Sequence, residues 1–394
     1  MHLCHSKANK IAIDVLMIQP TTGLLMNNWL NCKKILCIRP DNMGDLLMTT
    51  PAIRALKQSC NAHITVLTSS MAAGIARHIP EIDEVITFDV PWVKTNVAEG
   101  QEAVTAIVKQ LTQKQFDAAV VFTVYSQNPL PTVMLAYLAG IPLRLAYCRE
   151  NPYQLLTNWV PDKEPYDFIR HQVRRDLDLV ASVGATTNDD KLSLNVPDLW
   201  PQVEQKLQQQ GINTYQPWLI MHPGVSEPKR EYPQALWAEA AAKAVHKLGY
   251  QVLFTGSAGE EPMARKIQSM AGEGTFNLAG KFKLDEFVKL INKAPVIVSV
   301  NTGTVHIAAA TGTPTVVLYA LTNPQHTPWM VPSQVLSYAV PPDAQSKNEV
   351  IAHVSRYFND EQVLMPCADE ILAAVTALLN KEVTEQPLIQ LNRD

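Results

Sequence analysis

KILCIRPDNMGDLLMTTPAIRALKQS, residues Lys34–Ser59, is the stretch whose reading decides the fold. Lys34–Arg39 is a short apolar run of the kind that forms a fully buried strand. Pro40-Asp41-Asn42-Met43-Gly44 punctuates it, with Gly44 permitting a tight turn, and Asp45–Ser59 then reads as a helix. The same alternation continues outward. His63–Thr68, Val85–Phe88 and Ala118–Thr123 are expected strands; Ala72–His78, Ala103–Gln113 and about Pro131–Ala139 are expected helices. Strands and helices alternating at this spacing imply a parallel, doubly wound sheet. From Arg149 to Asp198 the pattern frays around a helix expected near Tyr166–Val183, and Pro197 and Pro201 mark an expected linker.

The alternation then restarts. Trp218–Met221, Gln251–Thr255, Val296–Val300 and Thr315–Tyr319 are expected strands; Pro233–Leu248, Glu260–Met270, Leu284–Ile291 and Val305–Thr311 are expected helices. A final helix over Ala368–Lys381 carries Ile371, Leu372, Val375, Leu378 and Leu379 on one stripe. The expected architecture is α/β of GT-B type: two Rossmann-like doubly wound units facing a cleft. Residues 1–32 form an N-terminal extension, 33–198 the first unit and 199–394 the second. A ligand site belongs where the carboxyl ends of the two sets of strands meet. Neither first strand is followed by GxGxxG, which disfavours a dinucleotide oxidoreductase.

At 394 residues, 47% hydrophobic and 18% charged, the chain suits two globular units. Its net charge of −4 offers no broad attraction to nucleic acid. Cys4, Cys32, Cys37, Cys60, Cys148 and Cys367 show no CxxC or zinc-like spacing and read as buried free thiols of a reducing, cytoplasmic compartment. The N-terminus lacks a signal-peptide pattern, since Asp14 interrupts its one apolar run, and Met26 is an alternative start. No Asp, Glu, Lys or Arg occurs between Ala294 and Pro342, yet Asn301, Gly303, His306, Gly312, Pro314 and Pro324 divide this region into pieces too short to span a bilayer.

Four loops carry candidate chemistry. In Arg39–Asp45, the carboxylate of Asp45 at the mouth of a parallel sheet suits a general base, or simply caps the helix; Asn42 and Gly44 lie on the same side. In His222–Pro233, Gly224 lets a ligand approach the backbone beside Ser226, and Lys229 and Arg230 suit a diphosphate, or are solvated surface cations. In Asn301–His306, the successive amides and hydroxyls of Thr302, Gly303 and Thr304 meet a helix N-terminus, an anion site; the alternative is a capped helix with a satisfied His306. In Thr255–Glu261, Gly256 opens a turn where Glu260 or Glu261 could accept ribose hydroxyls, or merely stabilise a first helical turn.

These motifs, in this order and at these intervals, resemble the heptosyltransferase family, glycosyltransferase family 9. The matching stretches are Ile35–Lys57, His222–Trp237, Val252–Ile267 and Val300–Pro324, with smaller echoes in Leu135–Gly140 and His171–Gly184. The resemblance implies a GT-B fold with an N-terminal acceptor unit and a C-terminal donor unit, and an inverting transfer that requires no cofactor or metal. The substrate is a nucleotide-sugar donor, ADP-heptose or similar. Its partner is a glycan or lipid-linked acceptor, with lipopolysaccharide core the expectation and peripheral contact with the inner face of the membrane compatible with it. The resemblance assigns Asp45 as catalytic base, Lys229 and Arg230 near the donor phosphates, and Thr302, Gly303, Thr304 and His306 to the phosphate loop. Asn301 departs from the family's aspartate, and Tyr232 from its tryptophan. Two other readings remain at this level: a sugar-nucleotide epimerase, and a nucleotide-sugar binding protein with weakened catalysis.

Overall fold

The computed structural model describes residues 28–93, 100–358, 363–384 and 387–392. The alternative start at Met26, Cys4 and the rest of residues 1–27 lie outside them. Within the first half, β1 (Lys34–Arg39), β2 (His63–Thr68), β3 (Glu84–Thr87), β4 (Ala118–Val121), β5 (Leu143–Cys148) and β6 (Asn158–Pro161) form a six-stranded sheet. All its pairings are parallel, in the order β3-β2-β1-β4-β5-β6. The crossovers are α1 (Met43–Cys60), α2 (Ser70–Ala76), α3 (Gln101–Lys114) and α4 (Leu130–Leu138). Every residue of β1 after Lys34 is buried, which is why the strand reads as a continuous apolar run.

The 166–183 stretch departs from expectation. A short strand, β7 (Phe168–Arg170), precedes α5 (Gln172–Ala181), so the helix begins later than periodicity suggests. The cause is non-local: β7 pairs antiparallel with β14 (Gln390–Asn392), Ile169 lying opposite Leu391, 222 residues further along the chain. Pro201 is likewise not in a linker; it lies in the first turn of α6 (Trp200–Gln209), where its missing N–H costs nothing.

The second half repeats the first. Its sheet comprises β8 (Trp218–His222), β9 (Gln251–Phe254), β10 (Thr275–Asn277), β11 (Ile297–Val300), β12 (Thr315–Ala320) and β13 (Ser333–Tyr338). The order β10-β9-β8-β11-β12-β13, again all parallel, is the same winding scheme. Its helices are α7 (Gln234–Lys243), α8 (Glu261–Ala271), α9 (Leu284–Lys293), α10 (Gly303–Thr311), α11 (Glu349–Phe358) and α12 (Ala368–Leu379). Ile371, Leu372, Val375 and Leu378 of α12 are buried as its stripe requires. Each sheet reverses its winding direction between its first and fourth strands, and ligands of open α/β sheets bind at such switch points.

The two halves share packing. One buried cluster runs from Leu46 and Ile53 of α1 to Val288 and Ile291 of α9 and Ile307 of α10. Polar ties reinforce it: His78 Nε2 lies 2.9 Å from Asp285 Oδ1, and Trp329 Nε1 donates to the Asp190 carbonyl at 2.7 Å. Two segments within 199–394 pack back on the first half. They are β14, on β7, and α11, whose Val354 joins Tyr125 and Ile169. Trp29 and Cys32, from the expected N-terminal extension, are buried in the core, with Trp29 Nε1 donating to Asn158 Oδ1. Cys32, Cys37, Cys60 and Cys148 are buried free thiols; Cys367 is exposed, at the N-cap of α12. Among the described residues no helix is long and apolar enough to cross a membrane.

Candidate active site

The site begins at the carboxyl end of β1. Asn42, not Asp45, is the N-cap of α1; Asp45 is the third helical residue, and its Oδ2 accepts from the Asn42 amide at 3.3 Å. That reach-back uses one carboxylate oxygen for capping and leaves Oδ1 for other partners. Arg39 Nη2 donates to Oδ1 at 3.2 Å, and His326 Nε2 lies 3.6 Å from the same atom. Asp45 is thus both the local cap and part of a charge cluster.

Arg39 is wholly buried and holds that cluster together. Its Nε is 3.0 Å from Asp41 Oδ2, an ion-pair distance without the alignment of a hydrogen bond. Asp41 Oδ1 accepts from Gln127 Nε2 at 2.5 Å, while Asp176 accepts from Thr49 and Gln172. Burial pushes Asp41 and Asp176 up to about 6 against the pull of Arg39. Burial also acts on Asp45, but the charge of Arg39 and the imidazoles of His326 and His306 outweigh it, and its carboxyl falls below the ordinary value. Of the three carboxyls around one guanidinium, Asp45 is the one shifted toward the ionised form, while Asp41 and Asp176 are shifted the other way.

The second half brings its phosphate loop against this point. Thr302 is the N-cap of α10, with Gly303 and Thr304 in the first turn and His306 following. The approach is close: a Cβ on Gly44 would lie 2.7 Å from His306 Cδ2 and 3.2 Å from Gly303 Cα. Thr302 Oγ1, Asn301 Oδ1, His306 Nδ1 and Arg230 Nε are buried without hydrogen-bond partners. Three of them, Thr302 Oγ1, His306 Nδ1 and Arg230 Nε, can donate to an anionic ligand beside the helix N-terminus, whereas Asn301 Oδ1 can only accept. Burial holds the His306 imidazole down to about 3, so it faces the loop neutral.

Arg230 belongs to this loop. Its Nη1 donates to the Asn301 carbonyl at 3.1 Å, while Nη2 lies 3.1 Å from Glu227 Oε2. Lys229 Nζ is 3.4 Å from the same Glu227 oxygen, so both cations lean on one carboxylate. Asn301 uses Nδ2 to tie its loop to the Ala320 carbonyl and Thr322 Oγ1.

The remaining candidates separate. Gly224 and Gly256 flank Glu260: a Cβ on Gly224 would lie 2.2 Å from Glu260 Oε1, and one on Gly256 2.9 Å from Oε2. Glu260 caps its own turn by accepting from the Ser257 amide at 2.6 Å. Glu261 is held elsewhere, by Arg265 at 2.5 Å and Asn277 Nδ2 at 3.1 Å. Ser226 is exposed on the loop after β8. His222 lies inside the sheet end, with Nδ1 3.0 Å from Thr255 Oγ1, and burial lowers it to about 4.

Arg39, Asp41, Gln127, Asp176 and His326 join the site without having been singled out in the sequence. Arg39 ends an apolar strand, and Asp176 and Gln127 act only through neighbours distant in the chain. His326 stands in a Pro-punctuated loop with no local signal of chemistry.

Two facing Rossmann-like sheets, with a carboxylate at one sheet mouth and an anion loop at the other, define the GT-B class of nucleotide-sugar enzymes. The sequence profile of glycosyltransferase family 9 (heptosyltransferase) matches residues 104–352, and the chain belongs to that family; it is a glycosyltransferase. Lipopolysaccharide heptosyltransferase 2 of Escherichia coli K12 is 28% identical over 309 residues, covering 75% of this chain and 85% of that protein. Lipooligosaccharide heptosyltransferase 2 of Haemophilus influenzae is 27% identical over 307 residues, with 75% and 85% covered. Among solved structures, the family 9 glycosyl transferase of Veillonella parvula superposes with a TM-score of 0.71 at 18% identity, covering 89% of this chain and 98% of that one. The Escherichia coli ADP-heptose lps heptosyltransferase II gives 0.66 at 24%, covering 89% and 99%. At these identities the structural likeness speaks to fold.

Proposed function

We propose that this glycosyltransferase inverts the anomeric centre of an ADP-linked heptose, or a similar sugar, as it transfers that sugar to a lipopolysaccharide-core or other envelope glycan. The observation that carries the proposal is the meeting of Gly44 with Gly303 and His306, and of the adjacent Asp45 with His326, which puts a carboxylate beside an anion-binding helix start. The first unit, about 33–198, takes the acceptor, with Asn42 and Gly44 at its edge; the second, about 199–394, takes the donor. The names of the relatives support heptose and a lipopolysaccharide acceptor. The profile match includes the Lys229–Arg230 and Thr302–His306 loops but begins after Asp45, whose role rests on its position and charge state.

In this mechanism Asp45, held ionised, takes the proton from an acceptor hydroxyl as that oxygen attacks the anomeric carbon. The bond to the diphosphate breaks, and the leaving group carries away its electron pair. The amides at the start of α10, Thr302 Oγ1, Arg230 and Lys229 stabilise the charge that develops there. A diphosphate would compete with Glu227 for the two cations. Glu260 lies where a nucleoside hydroxyl could meet it, beside Gly224 and Gly256. A lipid-linked acceptor implies work at the inner face of the membrane, by peripheral contact.

Calorimetric titration with ADP, UDP, GDP and NAD tests the donor assignment. Selective binding of ADP is expected, with the Kd raised at least about 100-fold by Gly303→Val, because a branched side chain there meets Met43 and the opposing turn. Binding of none of the diphosphates contradicts the assignment.

A further inference from the structure

We propose that Gln325 is a positioning residue for the transfer: its amide crosses from the second half to Glu164 of the first and sets the approach of the phosphate loop to Asp45. This role rests on the reading of Asp45 as base and of Thr302–His306 as donor loop.

Gln325 and Glu164 are both buried. Gln325 Nε2 donates to Glu164 Oε1 at 3.2 Å, while Gln325 Oε1 is buried without a hydrogen-bond partner. An ionised carboxylate only accepts, which fixes the amide with Nε2 toward it. Glu164 has little freedom to follow its partner. Its Oε1 also accepts from the Arg170 amide at 2.6 Å, and its Oε2 from Arg175 Nη1 at 2.6 Å. Arg175 is wholly buried; it grips Asp162 through Nη1 and Nη2 at 2.8 and 2.9 Å, and its Nε donates to the Thr123 carbonyl at 3.1 Å. Further along the loop that starts at Thr123, Gln127 holds Asp41, which faces Arg39 together with Asp45. The accepting end of the bond thus belongs to the frame behind Asp45.

The donating end belongs to the phosphate loop. Thr322 Oγ1 accepts from Asn301 Nδ2 at 3.2 Å, and the Asn301 carbonyl accepts from Arg230. Asn323 then caps the turn Pro324–His326, its Oδ1 accepting from the Gln325 backbone N–H at 3.0 Å. Beyond the turn, the Thr327 carbonyl lies 2.9 Å from His171 Nε2; His171 Nδ1 accepts from the Val173 amide, so Nε2 carries the proton and donates. Gln325, Thr327 and Trp329 each reach the first half, and of these three Gln325 meets a carboxylate. Its neighbour His326 is the residue that comes within 3.6 Å of Asp45 Oδ1. Loss of the Gln325–Glu164 bond therefore loosens the turn at the point where the second half faces Asp45.

The test is kcat for transfer from ADP-heptose to a lipopolysaccharide-core acceptor between pH 6 and pH 9, each variant compared with the parent at the same pH. Gln325→Leu keeps the bulk, removes the bond and leaves Glu164 its donors from Arg170 and Arg175. It is expected to lower kcat about 10- to 100-fold at every pH, the scale of a misplacement of roughly 1 Å, with the Kd for ADP within two-fold of the parent. Gln325→Glu sets two carboxyls face to face: ionised they repel, and sharing one proton they restore a hydrogen bond across the halves. Its kcat relative to the parent is expected to match that of Gln325→Leu at pH 9 and to rise at least about five-fold by pH 6, a recovery that Gln325→Leu does not show. The charges facing the contact are those of Arg149, Arg170, Arg175 and Asp162. Burial pushes the phenols of Tyr125, Tyr147 and Tyr319 up, and the imidazoles of His171 and His326 down to about 3 and about 4, so these groups do not titrate in that range. A kcat within two-fold of the parent in Gln325→Leu, or a Gln325→Glu variant as slow relative to the parent at pH 6 as at pH 9, overturns the proposal. Asp45→Asn, assayed in parallel, separates the two levels: parental activity there removes the base assignment itself, whereas a slow Asp45→Asn beside a fast Gln325→Leu removes only the positioning role.

Discussion

At Gly44 the two halves pack closely against each other, and hydrogen is the only side chain its surroundings accept. A methyl group would press on His306 Cδ2 at 2.7 Å and on the Gly303 backbone at 3.2 Å. Gly44→Ala is expected to cost about 1–3 kcal/mol as an overpacking change, with the chain still folded. Its effect on kcat/KM should be larger, about 100-fold, because a misplacement of roughly 1 Å between reacting groups has that effect. Steady-state kinetics and thermal melting on one preparation check this, and parental turnover would show that the contact does not position the site. At this scale Asp45, Lys229, Arg230 and the Thr302–His306 loop were legible in the sequence because each follows an apolar strand and precedes a helix, where function concentrates in this class of fold. Arg39 was not, since a cation closing an apolar run acquires its meaning only from Asp41, Asp45 and Asp176. Nor was His326, whose place in the site depends on a contact 281 residues back along the chain.

Elements followed the same division. Strands and helices with clear periodicity, such as β1, α1, β11, α10 and α12, were readable because the buried face alone dictates their composition. The 166–183 stretch was not, because β7 is a strand by virtue of pairing with β14, and no local pattern reports such a partner. The edge strand β6 (Asn158–Pro161) escaped too, being short, half-exposed and ended by proline. Between β8 and β9 the loop design can be tested. Gly224 leaves room for the Glu260 carboxylate that caps the turn entering α8. Gly224→Ala should swing that carboxylate away and cost about 1 kcal/mol of stability, as lost caps do. The Kd for ADP should rise about ten-fold through loss of Glu260 from the donor side. An unchanged Kd in calorimetry would make Glu260 a cap only.

The whole molecule repeats one winding scheme twice and turns the two strand-end mouths toward each other, so that polar groups accumulate where the halves join. This has a consequence for pH. Burial holds His171, His222, His306 and His326 neutral, with values lowered to about 3–4. Unfolded, each would bind a proton below about 6.5; in the folded chain each binds one only below about 4, so these four stabilise the fold at neutral pH and lose that contribution as pH falls. Asp41 and Asp176, raised to about 6, act oppositely, because the folded chain binds their protons first. Four groups against two leave a net loss on acidification from pH 6 to pH 4, on the order of 2 kcal/mol per pH unit. Chemical denaturation across that range should show stability falling with pH; a flat or rising profile would contradict the buried-neutral histidines. The claim on which everything else depends is that Asp45 abstracts the acceptor proton at the junction of the halves. The most direct measurement is kcat and donor Kd for Asp45→Asn, which keeps the size of the side chain and removes its charge. The expected result is a fall in kcat of about 10²–10⁴-fold with the Kd for ADP nearly unchanged; full activity in that variant would contradict the account.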